Sequence, residues 1–133
     1  MICAASAISA ISTEKALLLF KAVAFSQKND TSILITKLGL SSRQFYSMIK
    51  KLIDTGLVRI TRGKYQLTSF GKVVFSAQAK VEIAINNYWN LKVLDSILMS
   101  ADKIHLPTEE CQAIIDKLIG NDEVKTMLVK KPD

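Results

Sequence analysis

The chain has 133 residues, 49% of them hydrophobic, with 18 Lys and Arg against 12 Asp and Glu and a formal charge of +6 with its one histidine neutral. That composition excludes a disordered or low-complexity chain and suits one folded domain with an appendage. Lys, Asn or Asp break every apolar run well short of the roughly 20 residues that cross a bilayer, so no membrane helix is expected.

The opening MICAASAISAIS lacks the basic region of a secretory signal, and residues 1–12 are expected to form an arm or an extra turn. Cys3 and Cys111 show no CxxC spacing, which suits a reducing cytoplasmic compartment, with a bridge between them the open alternative. His105 lies near Cys111, but two donors make a poor zinc site, so no metal or cofactor is expected.

Ser12 or Thr13 can cap a first helix, with Glu14 in the opening turn where a negative charge suits the helix dipole. Leu17, Phe20, Val23 and Ala24 recur at helical spacing until SQKND, residues 26–30, ends the run. Thr31 or Ser32 should open a short second helix that packs Ile33, Leu34 and Leu38 and stops at Gly39.

Ser41 followed by Gln44 matches a capping box and predicts a third helix. At 100° per residue, Phe45, Met48, Ile49, Leu52 and Ile53 fall on one side and should face the core. Arg43, Tyr46, Ser47, Lys50, Lys51 and Asp54 fall on the other, and Gly56 closes the helix. Two β-prone runs, Leu57 to Thr61 and Tyr65 to Thr68, then flank the turn RGK and predict a hairpin that must lean on those helices.

From Ser69 the pattern is helical for about 30 residues, roughly 45 Å if continuous. Phe70, Val74, Ala77, Val81, Ala84, Tyr88 and Leu91 alternate steps of 4 and 3, as in a coiled-coil seam, until Asp95 interrupts before Leu98. NNYWN, residues 86–90, is the weak point, where a kink or a split into two helices is the alternative, because Asn favours caps and turns over helix interiors. Val73, Ile83, Ile85 and Trp89 fall off the stripe, so some of them should meet other parts of the chain. Pro107 and Thr108 open a further helix, with Glu109 and Glu110 at its start and Cys111, Ile114, Ile115, Leu118 and Ile119 inward. GND at 120–122 ends it, and a last turn within 123–129 precedes a Lys/Pro tail.

Charge is unevenly distributed. Between Lys37 and Lys72 eight basic residues face the single acid Asp54, a net of +7 that leaves the rest of the chain at −1. A basic block in a neutral chain implies an anionic partner, most often nucleic acid.

The run SSRQFYSMIKKLIDTGLVRITRGKYQLTSFGK resembles the winged helix-turn-helix of archaeal and bacterial transcription regulators. The likeness rests on a capped helix ending in TGLV, a basic turn and the closing YQLTSFGK, and it covers roughly residues 13–75. It implies a mainly α fold with a small β-hairpin: an arm at 1–12, a winged domain at 13–75 and a helical extension at 76–133. In such proteins the third helix enters the major groove of double-stranded DNA and the hairpin touches the flanking backbone. Carried over, Ser42, Arg43, Tyr46, Ser47 and Lys50 become base or phosphate contacts, and Arg62 and Lys64 wing contacts. Arg43 suits guanine readout, while Lys50 and Lys51 suit phosphates. The plainer reading is that Arg59, Arg62 and Lys64 only solubilise an edge strand.

The stripe of Val74, Ala77, Val81, Ala84, Tyr88, Leu91 and Leu98 suggests a homodimer able to read two half-sites; the alternative is burial against the chain's own helices. A small-molecule effector near Tyr88, Trp89 and His105 stays open. With no glycine-rich phosphate loop, nucleophile elbow or HExxH, no catalysis is expected. The rival functions are a winged-helix protein-interaction module and a chromatin-like DNA coat.

Overall fold

The computed structural model describes residues 2–25, 30–104, 108–120, 123 and 128, and is mainly helical with one two-stranded antiparallel hairpin. The helices are α1 (Ala4–Ala10), α2 (Glu14–Phe25), α3 (Thr31–Leu38), α4 (Ser42–Asp54), α5 (Ser69–Asn86), α6 (Tyr88–Ile104) and α7 (Thr108–Leu118). The strands β1 (Val58–Thr61) and β2 (Lys64–Leu67) lie between α4 and α5. Two compact units form, Met1–Ala77 and Gln78–Asp133.

In the first unit the opening segment is no loose arm. Cys3 caps α1, its thiol accepting from the Ser6 amide while the Ser6 hydroxyl accepts from the Cys3 amide. Ala7 and Ala10 are buried as α1 packs on α4. An Ala/Ser stretch carries too weak an apolar pattern to announce a packed face, yet Ala is the best helix former and lets backbones approach closely. The same Ser6 side chain holds the exposed Cys3 thiol below its usual range.

Thr13 caps α2, accepting from the Ala16 amide at 3.2 Å. The helix α3 begins at Thr31 as expected, and its cap is Asp30, whose carboxylate accepts from the Ile33 amide at 2.8 Å. Thr31 shares a 3.2 Å hydrogen bond with the Tyr65 hydroxyl, tying α3 to the hairpin. Ser41 and Gln44 form the expected capping box of α4. Phe45, Ile49 and Leu52 of that helix are buried and Met48 packs against them, but Ile53 sits at the rim, 36% exposed.

The core joins α2, α3, α4 and the hairpin: Leu19, Phe20, Phe45, Leu52 and Leu57 have no solvent exposure. Each such side chain contributes roughly 1.5–3 kcal/mol of transfer free energy. Tyr65 meets Phe45 edge to face with ring centroids 5.6 Å apart, so the hairpin, marginal alone, is held by the helix before it. Thr68 caps α5, accepting from the Gly71 amide at 2.9 Å while donating to the Gly56 carbonyl.

The helical stretch of about 30 residues from Ser69 is two helices, divided at Asn87 within the NNYWN stretch where a split was the alternative, and α5 begins in the first unit and ends in the second. The Asn87 side chain donates to the Ile83 carbonyl at 2.8 Å, while its backbone N–H is shared between the Ile83 and Ala84 carbonyls. An amide side chain competing for backbone partners ends the regular ladder, and α6 restarts with Leu91 N–H donating to the Asn87 carbonyl. Leu94, Ile115 and Ile119 are buried where α6 meets α7, and Asn90 donates to the Leu118 carbonyl at 3.0 Å. Lys80 pairs with Glu123 at 3.4 Å. Val73, Ile85 and Trp89, expected in part to meet other elements, are 69%, 65% and 74% exposed, and Ile83 is half-buried. The expectations for residues 26–29, His105, Pro107, the Cys111 thiol, Asn121, Asp122 and most of 123–133 lie outside the described residues.

Candidate nucleic-acid interface

The side of α4 opposite its core face is a solvent-facing polar surface. Ser42, Arg43, Tyr46, Ser47, Lys50 and Lys51 are all exposed, as is Asp54 at the far end. Arg43, Tyr46, Ser47 and Lys50 follow at i, i+3, i+4 and i+7 and so share one strip, roughly two turns or 10 Å long. Lys51 lies at the edge of that strip. Tyr46 is steadied by the buried Phe45 ring, edge to face at 5.4 Å, while remaining 55% exposed. Beside the strip, Arg43, Ser47 and Met48 share a groove of about 660 Å³ with Thr13, Glu14 and Lys15 from the start of α2.

The hairpin distributes its charge by register. Arg59 pairs with Gln66 and Thr61 with Lys64, so these four share the face away from the core. Val58 with Leu67 and Ile60 with Tyr65 share the other, and Val58 and Tyr65 are buried there. The loop holds two residues, Arg62 at φ 54° and Gly63 at φ 76°. Two left-handed residues in succession match the twist of a tight hairpin, for which Asn-Gly is the preferred pair. Arg62 is thus the one described non-glycine residue held in the left-handed region. With strands of four residues each, the hairpin is short.

Arg43, Lys50, Lys51, Arg59, Arg62, Lys64 and Lys72 have no acidic partner among the described residues. The block of charge legible in sequence is therefore available to an external anion. Sequence reasoning left Lys72 unassigned and gave Arg59 only the role of a charged edge residue. The structure brings both to Lys64 around a cleft of about 560 Å³ behind the hairpin. The signal for Arg59 was the alternation of β1, which puts it on the Lys64 face; nothing local marked Lys72.

The stripe residues of α5 and α6 are not fully buried: Ala77, Val81 and Tyr88 are exposed, and Val74, Ala84, Leu91 and Leu98 half-buried. Tyr88 and Trp89 meet edge to face at 5.3 Å with Lys92 over the Tyr88 ring, and the two residues are 49% and 74% exposed. Among the described residues, no group of three His, Cys, Asp or Glu is placed to hold a metal, and no helix is long and apolar enough to cross a membrane. Compared with family models, with curated proteins and with solved structures, the chain matches none.

Proposed function

We propose that the first unit is a winged helix that binds double-stranded DNA, with α4 in the major groove and the hairpin on the flanking backbone, and that the chain acts as a dimeric transcription regulator in the nucleoid. The observation that carries this reading is the exposed strip of α4, where Arg43 and Lys50 stand beside Ser47 and Tyr46 without acidic partners among the described residues. Arg43, near the helix N-terminus, offers a planar fork of donors that fits the O6 and N7 edge of guanine. Lys50 and Lys51 neutralise phosphates and set position rather than sequence. Arg62 at the loop and Lys64 beside it add backbone contacts through counterion release. Asp54 bounds the strip, since a carboxylate there repels phosphate. In a two-fold pair formed through the stripe of α5 and α6, two α4 helices could read half-sites about 34–36 Å apart.

The test is a titration of fluorescent duplexes, random and genomic, with the wild type and with Arg43→Ala, Lys50→Ala and Arg62→Ala. Binding should weaken on the order of a thousandfold between 50 and 200 mM salt if about six phosphates are met. Loss in the variants upholds the face, and a preference for particular fragments favours a regulator over a DNA coat. Absence of binding at low salt, or equal binding by all variants, sinks this assignment and points to an acidic protein partner for the same surface.

A further inference from the structure

The cleft behind the hairpin is lined by three cations, Arg59, Lys64 and Lys72, and by the carboxamide of Gln66. Its floor is apolar, formed by Val23, Leu67 and Phe75. Arg59 and Lys64 reach it from the outer face of the hairpin and Lys72 from the first turns of α5, so three elements of one unit converge there. All three cations are exposed, and among the described residues none of them has an acidic partner and no carboxylate lines the cleft. Like charges around a low-dielectric floor concentrate the positive potential and favour a visiting anion. A guanidinium fork, two ammonium groups and an amide donor suit a tetrahedral oxyanion better than a single carboxylate. The floor offers an aromatic surface as well: Phe75 meets the 75% exposed Phe25 edge to face at 5.3 Å.

The cleft is separate from the α4 strip. Arg43 and Ser47 adjoin residues 13–15 at the start of α2, whereas the cleft adjoins Val23 and Ala24 at its end, at least eight residues or roughly 12 Å farther along. Lys64 alone belongs to both the cleft and the contacts proposed above.

We propose that this cleft is a phosphate-ester site with Arg59, Lys64 and Lys72 as its ligating side chains. The ester has two sources, the backbone of a DNA duplex or a free nucleotide. Only the first rests on the DNA-binding reading. A nucleotide bound there would take Lys64 from the duplex and weaken DNA binding.

The experiment titrates ATP without metal by calorimetry, and a duplex by fluorescence at several salt concentrations, into the wild type, Lys72→Ala, Arg59→Ala, Lys50→Ala and Arg43→Ala. Lys72 and Arg59 are exposed, so both variants should keep the fold, which circular dichroism checks. Saturable ATP binding that weakens about tenfold or more in Lys72→Ala and Arg59→Ala but not in Lys50→Ala upholds the site with a nucleotide as ligand. A fall of about 0.9 in the salt slope of duplex binding in Lys72→Ala upholds it with the backbone as ligand. If neither titrant responds to Lys72→Ala and Arg59→Ala, or if Lys50→Ala weakens ATP as much as they do, the proposal fails. Duplex binding that depends on Arg43 while Lys72→Ala changes nothing would sink the cleft and leave the DNA reading standing. ATP binding lost in Lys72→Ala with no duplex binding by the wild type would do the reverse.

Discussion

Two residues set terms that their neighbours obey. Arg62 sits at φ 54°, a conformation that costs a non-glycine residue on the order of 1–2 kcal/mol and that Asn tolerates far better. A cation kept where Asn would fit more easily suggests that its charge is used. Arg62→Asn should therefore raise stability in urea by about 0.5–1 kcal/mol while lowering the salt slope of duplex binding by about 0.9. A gain in stability with an unchanged slope would make Arg62 a mere turn residue. Gly71 presents the opposite case. An interior helix glycine normally costs about 1 kcal/mol relative to Ala, yet a Cβ at Gly71 would lie 2.0 Å from the Leu57 carbonyl oxygen. Because the obstacle is backbone, Gly71→Ala should destabilise the first unit by at least about 3 kcal/mol, read as a lower urea midpoint. In the sequence this glycine reads as an ordinary member of α5; its necessity lies in the approach of Leu57, 14 residues away.

At the scale of elements, what the sequence discloses depends on how local the cause is. The capping box of α4 was legible because Ser41 and Gln44 satisfy each other's amides within four residues, at 3.1 and 3.2 Å. Ser41→Ala should cost about 1 kcal/mol and speed amide exchange in the first turn of α4. Unchanged exchange there would mean that packing of Phe45 alone holds the turn. The hairpin was legible from its β-prone runs and glycine turn. The start of α3 at Thr31 was legible too, although the capping role of Asp30, at the end of SQKND, was not. The α1 helix hid in a weak Ala/Ser pattern whose only strong signal, burial of Ala7 and Ala10, is tertiary. The break at Asn87 fell in the stretch marked as weak, but the periodicity on either side argued for continuity. Competition by one side-chain amide decided it. On the candidate site, the α4 strip followed from helical spacing alone, whereas the cleft needed Lys72 to be carried to the hairpin by packing.

At the scale of the whole molecule, the proposed dimer depends on the stripe of α5 and α6. The break leaves no single seam from Phe70 to Leu98 but two shorter rows, ending at Ala84 and starting again at Tyr88. A sustained coiled coil wants three or more uninterrupted heptads, so pairing through this stripe would rely on short helix contacts and bulky side chains rather than on a long rod. Val81 and Tyr88 are 59% and 49% exposed in the single chain. Replacing either costs the isolated fold little, and a charge there should act on association alone. Sedimentation at tens of micromolar should give a dimer for the wild type and a monomer for Val81→Glu and Tyr88→Glu, with far-ultraviolet circular dichroism unchanged. The variants should also lose any preference for two half-sites over one while keeping the affinity for a single half-site, since the α4 strip belongs to the other unit. A wild type that sediments as a monomer would remove the proposed dimer. A dimer that survives both substitutions would move the contact off this stripe.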